Sequence, residues 1–384
     1  IINTRGGDDI VYITGGQGII KMGEGEDYVD AQTGGFSIDL GKGDDRVDLN
    51  SGTNTIIGGP GDDLAVLAPF ASSESIVLDD YRFTHGDISV YVSDSLEMLE
   101  VTDTSAQTTL EVADASHSWG AAGLTLDASS SLVDMSNASF VAPEGQLALY
   151  AQGIEGDLNT DVEVLTVVNT GSEQYADIVV READNVQITK NYHANGGLYT
   201  SAGSIDVQLA GEDALLTHRS GVISTAASGK DIDIIADDID LRAGQGTVSG
   251  QGDFNLSGKT AGLTYKVGGA GQSLYGNDYS SGDPDGSMDF SMRDIDALAD
   301  GFNALYIGAE SPGSTMYIGD LKDTDYEDYL KLITDDDGAP ILTATGYTQV
   351  EPVDVSFKSK LRDDAYFSAD RVNVVGNARS FEKF

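Results

Sequence analysis

Four aspartates, Asp9, Asp27, Asp45 and Asp63, recur at one fixed spacing near the start of the chain. A carboxylate is a hard oxygen donor, so a regular column of them either holds a hard divalent cation or repels itself. Each aspartate follows a glycine cluster: Gly6-Gly7-Asp8-Asp9, Gly23-Glu24-Gly25-Glu26-Asp27, Gly41-Lys42-Gly43-Asp44-Asp45 and Gly58-Gly59-Pro60-Gly61-Asp62-Asp63. Glycine takes tight-turn backbone angles that other residues resist, and it bares carbonyl oxygens. The candidate metal ligands are therefore the four aspartates with Gly7, Gly23, Gly25, Gly41, Gly43, Gly59 and Gly61. The first unit is degenerate, with Arg5 where a glycine is expected.

The elements that position these residues follow from a second period. Residues 4–66 divide into seven consecutive nonapeptides whose eighth places are Val11, Ile20, Val29, Ile38, Val47, Ile56 and Ala65. Six of the seven are β-branched, which suits a short strand burying one side chain inward. Two nonapeptides make one coil, and coils stack about 4.8 Å apart. Residues two nonapeptides apart then share an edge, and the aspartates form one ladder. At that spacing each adjacent pair costs roughly 3–4 kcal/mol at an effective dielectric of ~20, nearer ~1 kcal/mol in water. A cation between coils removes the cost, and four rungs leave room for about three such sites. The opposite edge carries Gly18, Phe36 and Asn54 and is expected to be free of metal or nearly so.

These repeats resemble the RTX (repeats-in-toxin) calcium-binding β-roll, whose consensus is G-G-x-G-x-D-x-U-x with U apolar. The unit ending at Asp63 matches the G-G-x-G-x-D half completely. The resemblance covers residues 1–69 and implies calcium as the cofactor, calcium-triggered folding after export through a type I secretion channel, and an extracellular or bacterial cell-surface location. The chain departs from the family in carrying ligands on one edge only. The competing reading is a glycine-rich β-solenoid whose aspartates merely cap turns.

Beyond residue 70 the nonapeptide register is lost, but short β-rich runs continue at 75–78, 88–92, 108–112, 123–126, 146–151, 161–168, 176–181, 186–190, 204–209, 232–241 and 254–256. Their spacing, with polar and glycine turns between, predicts an all-β chain. The expected fold is a calcium-binding parallel β-roll at 1–69 continuing into a parallel β-solenoid at 70–259. A small inserted α+β region follows at 260–345 and strands return at 346–384. A separate β-sandwich is the alternative for the middle. The run at 230–241 resembles strand units of filamentous-haemagglutinin-like adhesins and of very large bacterial surface proteins; Asp231, Asp233 and Asp240 alternate there with Ile or Leu as on a half-buried strand. Within 260–345, the segment 292–300 is the helix candidate, with strands at 302–307, 316–318 and 329–333.

Composition narrows the function. The chain has 64 acids against 21 bases, a net charge of −43, which makes nucleic acid and anionic lipid poor partners. Cysteine is absent, excluding disulfides and thiolate metal sites. No apolar run is long enough for a membrane-spanning helix. The opening Ile1-Ile2-Asn3, without Met, reads as a segment cut from a longer polypeptide. Asp283, Asp285 and Asp289 resemble half of an oxygen-rich calcium loop, and the acids of 323–328 and 335–338 are lesser candidates. The histidines His85, His117, His193 and His218 share no metal spacing and read as turn or surface residues. Tyr265, Tyr275, Tyr279, Tyr306 and Tyr317 could stack on sugar rings or serve as ordinary strand formers.

Neither H-E-x-x-H nor G-x-S-x-G occurs. The expected function is non-enzymatic: a secreted, cell-surface structural or adhesive segment that folds and stiffens on extracellular calcium. Its partners would be copies of itself, neighbouring segments of a longer chain, or a cell-surface glycan. One alternative is a self-assembling extracellular filament or surface-layer protein. Another is a β-helix polysaccharide lyase or epimerase, with His193 beside Tyr192 or His218 beside Arg219 as its base.

Overall fold

The computed structural model describes residues 1–70, 76–79, 81–93, 95–103, 109–114, 123–172, 174–191, 196–267, 287–308, 314–318, 364–367 and 371–374. These form two compact units, Ile1–Glu182 and Ala183–Phe384, both built almost wholly of parallel β-strands.

The first unit opens with β1 (Ile2–Gly6), β2 (Ile10–Ile13), β3 (Gln17–Glu24), β4 (Tyr28–Ala31), β5 (Gly35–Lys42), β6 (Arg46–Leu49), β7 (Gly52–Ile57) and β8 (Leu64–Phe70). Odd strands stack on odd and even on even. Ile2 pairs with Ile20, Ile20 with Ile38 and Ile38 with Ile56. Opposite them Val11 pairs with Val29, Val29 with Val47 and Val47 with Ala65. Every step spans two nonapeptides, so the coil is the one the repeat predicts. Strand alternation turns Ile20, Met22, Ile38, Leu40, Val47, Leu49 and Ile56 into the space between the two sheets, where all are buried. Burying each such side chain stabilises the roll by about 1.5–3 kcal/mol.

After β8 the chain leaves the coil for an antiparallel meander, β9 (Ile76–Asp79), β10 (Arg82–His85) and β11 (Ile88–Val92). It then rejoins the stack. β11 pairs in parallel with β7, Ile88 on Gly52 and Val92 on Ile56. β12 (Met98–Asp103) pairs with β8, Met98 on Leu64. Strands Gly123–Ala128, Ser139–Ala151 and Leu158–Asn169 follow, each parallel to the one before.

The second unit runs three parallel ladders side by side. Val186–Ile188, Leu215–His218 and Asp238–Leu241 form one; Gly197–Thr200, Val222–Ser228 and Val248–Gln251 the next. Ile205–Leu209, Ile232–Ile235, Asp253–Ser257 and Ala304–Ile307 form the third. Val186 reaches its partner Leu216 through a longer stretch of chain than Ile232 needs to reach Phe254, so successive coils differ in length. Unequal turns of this kind erase any fixed sequence period while leaving the strands stacked. The interior is mainly apolar, with Phe254 packed against Phe290 and Phe302.

Several expectations need correction. The run 232–241 is not one strand: it breaks at a corner, Ala236-Asp237, into Ile232–Ile235 and Asp238–Leu241. Asp237 fixes the corner by accepting hydrogen bonds from the backbone N–H of Asp213, Lys259 and Thr260. Asp240 is buried rather than on a wet face, because strand Ser287–Phe290 and helix α1 (Met292–Ala297) cover Asp238–Leu241. The Asp289 N–H donates to Asp238 Oδ1 and the Leu241 N–H to Asp294 Oδ1, while Arg242 and Arg293 pair with Asp240. Helix α1 starts where expected, on a capping box between Ser291 and Asp294. It stops at Ala297, before the expected 300, because Leu298 turns extended and bridges Val248. His85 and His218 are not turn or surface residues: both occupy inward places on strands, 3% and 0% exposed.

Candidate metal centre

The glycines around each aspartate are set by the stacking. Gly23, Gly25, Gly41, Gly43, Gly59 and Gly61 all have positive φ. A Cβ on Gly41 would lie 2.0 Å from the carbonyl oxygen of Gly23, and one on Gly43 1.9 Å from that of Gly25. Gly59 and Gly61 meet the carbonyls of Gly41 and Gly43 in the same way, at 1.7 and 2.0 Å. Each coil therefore rests its carbonyls where the next coil would place side chains, and two glycine columns rise through the turn edge. Arg5 occupies the equivalent place in the first coil with a left-handed φ of 85°. The backbone keeps its path there despite the residue.

Beside these columns the four predicted aspartates come together as one ladder. The Asp9 N–H donates to Asp27 Oδ1 (2.7 Å), Asp27 N–H to Asp45 Oδ1 (2.7 Å) and Asp45 N–H to Asp63 Oδ1 (3.0 Å). One oxygen of each carboxylate from Asp27 to Asp63 is thus used to tie coils together. The other is not: Oδ2 of Asp9, Asp27, Asp45 and Asp63 is buried without a hydrogen-bond partner. Among the described residues these four are the only buried carboxylate oxygens in that condition. Asp27, Asp45 and Asp63 are each no more than 3% exposed. Leaving such an atom unpaired costs about 1–3 kcal/mol, more for a charge.

The contrast with other buried acids is sharp. Asp237 has both oxygens engaged, Oδ1 by Lys259 and Thr260 and Oδ2 by Asp213. Asp294 is held by Ser291 and the Leu241 N–H, and Asp240 by two arginines. These acids, which anchor turns and neighbouring elements, are fully satisfied.

Burial pushes Asp45 up to about 6 and Asp63 up to about 7. The backbone N–H of the preceding coil pulls each back, and neighbouring carboxylates push further, Asp27 and Asp44 around Asp45 and chiefly Glu97 around Asp63. Asp27 is raised as well, again first by burial. A carboxyl whose folded value lies above its ordinary ~3.9 stabilises the fold fully below that pH, and the contribution disappears as pH climbs through the raised value. In chelator, the melting temperature of the roll should therefore fall between about pH 4 and pH 7. Calorimetry across that range would show a flatter fall for Asp45→Asn with Asp63→Asn; an equal slope would mean the ladder does not titrate.

The opposite edge is built differently. Phe36 is buried there, and Asn54 takes the structural part of the aspartate: its Oδ1 accepts from the Phe36 N–H while its Nδ2 donates to the Ser51 carbonyl. Both ends of the amide are engaged, and Gly18, Phe36 and Asn54 bring no carboxylate to that edge.

Two features escaped the sequence pattern. Asp8, Glu26, Asp44 and Asp62 form a second, exposed acidic column one residue before the first, with Glu26 N–H donating to Asp8 and Asp62 N–H to Asp44, both at 3.0 Å. The adjacent acids of each repeat were its visible signal. The other is Glu97, whose Oε2 accepts from the Asp63 N–H at 2.8 Å, as an aspartate does one coil earlier. It lies well past Asp63, outside any repeat, and nothing in the local sequence marks it.

Among the described residues, no other candidate joins this site. Asp289 lies on strand Ser287–Phe290, 3.3 Å from Lys266 Nζ. Asp283, Asp285 and the acids of 323–328 and 335–338 lie outside the described residues, as do His117, His193, Tyr275 and Tyr279. Tyr265 is buried, its hydroxyl accepting from the Gly258 N–H, whereas Tyr306 is 40% exposed, so these two form no common platform. Burial holds His218 down at about 4, neutral and inside the core.

The chain matches no protein-family model, and neither a curated protein nor a solved structure shows significant similarity to it.

Proposed function

We propose that this chain is a calcium-folded segment of a secreted, cell-surface structural or adhesive protein. The observation that carries the reading is the row of four buried, unpartnered Oδ2 atoms on one edge of the roll. Hard oxygens at coil spacing, lined by glycine carbonyls and free of sulfur or nitrogen donors, suit calcium, which takes six to eight oxygen ligands. Asp9, Asp27, Asp45 and Asp63 would hold the ions, with carbonyls of the glycine columns completing the shells. Calcium supplies the positive charge that lets the ladder close.

The chain's own residues do the rest. The Oδ1 atoms and backbone N–H groups fix the rungs, the glycines let carbonyls approach, and the β-branched side chains bury as coils meet. Where calcium is scarce, mutual repulsion of the rungs opposes stacking. At extracellular millimolar concentration, binding to the folded form alone draws the equilibrium toward it. The export route comes from the resemblance to the RTX repeats; a surface glycan or a further copy of the chain would be the partner of an adhesive or filament-forming segment.

Far-ultraviolet circular dichroism during a calcium titration at neutral pH tests the proposal. The β signal should rise with calcium and fall again on chelation. Asp27→Ala combined with Asp45→Ala should abolish the change. A chain equally folded with and without calcium would overturn the reading and leave an acidic solenoid.

A further inference from the structure

We propose that the metal ladder runs one rung beyond the repeats, and that Glu97 with Asp63 and the Ser95 carbonyl forms a terminal cation site. The proposal rests on the calcium reading above and adds a ligand set the repeats do not contain.

The turn that carries Ser93, Ser95 and Glu97 takes the place of a fifth repeat turn. It stacks on the turn of residues 58–63: the Ser93 N–H donates to the Ile56 carbonyl, Gly59 N–H to Ser95 and Met98 N–H to Asp63. It is also shorter. From Ile56 to Leu64 the lower coil spends eight steps, whereas their partners Val92 and Met98 are six apart. Met98 pairs with Leu64 as Leu64 pairs with Arg46, so Glu97 stands in register over Asp63, and its carboxylate takes the place of the next rung. Its Oε2 meets the Asp63 N–H at 2.8 Å, matching the 2.7–3.0 Å of the aspartate rungs.

Oxygens converge in this gap. A Cβ built on Gly58 would lie 2.6 Å from Asp63 Oδ2 and 2.0 Å from the Ser95 carbonyl oxygen. Those two oxygens are therefore within about 4.6 Å of each other, a span one calcium bridges at about 2.3–2.6 Å per bond. Asp63 is 1% exposed and its Oδ2 has no other partner. The Ser95 carbonyl spends one lone pair on Gly59 and keeps the second. An ion held here would tie β12 and the returning strand β11 to the roll. Metal binding would then order residues that carry no repeat.

Equilibrium dialysis with calcium, joined to hydrogen exchange, tests this on the full chain. Glu97→Gln keeps an acceptor for the Asp63 N–H but loses the charge; Glu97→Asp keeps the charge but loses the reach. Both should bind about one calcium fewer than the parent chain. Both should also lose the calcium-dependent protection of amides at 95–101 while keeping that of β4 to β6. Unchanged stoichiometry and protection in the two variants would overturn the site and leave the repeat sites standing. Loss of all bound calcium in both would make Glu97 a folding residue rather than a ligand, which also overturns it. A parent chain that binds no calcium would overturn both this site and the reading beneath it.

Discussion

Replacing Asp27 and Asp45 together by asparagine will remove the repeat sites' share of the calcium response of the melting temperature, leaving only that of the site at Asp63 and Glu97, while raising the melting temperature of the calcium-free protein. The two effects have different sources. Asparagine keeps an Oδ1 for the N–H of the coil before it, and Asn54 on the opposite edge shows that an amide is accommodated in the same backbone setting. The calcium-free roll is then relieved of buried charge, since Asp27 and Asp45 no longer face Asp9 and Asp63 as carboxylates. With calcium the sign reverses. The gaps between Asp9 and Asp27 and between Asp45 and Asp63 each lose one carboxylate, and the gap between Asp27 and Asp45 loses both. One ion at a hundredfold excess over its dissociation constant stabilises by about 2.7 kcal/mol, so three contribute on the order of 8 kcal/mol. At about 2–4 °C per kcal/mol for a unit of this size, the parent chain should gain roughly 16–32 °C on adding calcium. Scanning calorimetry of parent and double variant, each with calcium and with chelator, measures all four values. A double variant that keeps half of the parent's gain would remove the buried ladder from the mechanism.

Gly41→Ala should be nearly as damaging, and for a reason independent of metal. Gly41 has φ of 111°, a conformation costing other residues about 1–2 kcal/mol. The added methyl would also sit 2.0 Å from the Gly23 carbonyl oxygen and 2.8 Å from its nitrogen. No rotamer relieves a clash of Cβ with backbone, so the coils must part. Parting the coils would also stretch the bond from the Gly41 N–H to the Gly58 carbonyl on the other side. Destabilisation beyond about 4–5 kcal/mol belongs to this class of lesion, a loss of roughly 8–20 °C in the calcium-loaded melt. Gly18→Ala is the control: nothing lies within 4 Å of its Cβ position, so it should stay within about 0.5 kcal/mol of the parent. Similar melts for the two variants would contradict the stacked turns.

What could be read from the sequence is what the chain repeats. The nonapeptide period gives the coil, the inward column and the aspartate rungs because identical short-range geometry recurs with every second nonapeptide. Glu97 was hidden because it reaches the same column from a shorter turn with a longer side chain, after a meander that destroys the register. Asp240 was misplaced because alternation with Ile239 and Leu241 reports only local strand geometry, whereas the helix and strand that bury it arrive much later in the chain; Arg293 and Asp294 make the contact. The corner at Asp237 had a faint signal in the adjacent Asp237-Asp238 pair, but its meaning depends on Lys259 and Thr260. The burial of His85 and His218 leaves no mark in the local sequence because it comes from neighbouring strands, those of Ile188 and Leu241 in the case of His218.

The two edges of the roll differ, and that asymmetry constrains how its gene can change length. Deleting or duplicating one nonapeptide would preserve every inward β-branched side chain, so the core alone would tolerate it. Yet it would set Phe36 or Asn54 over an aspartate and a glycine turn over a bulky one. Only whole pairs of nonapeptides keep each column in line. Variants arising by slippage or unequal recombination in this stretch should therefore survive in steps of one full coil, each step adding or removing a rung together with both of its glycine columns.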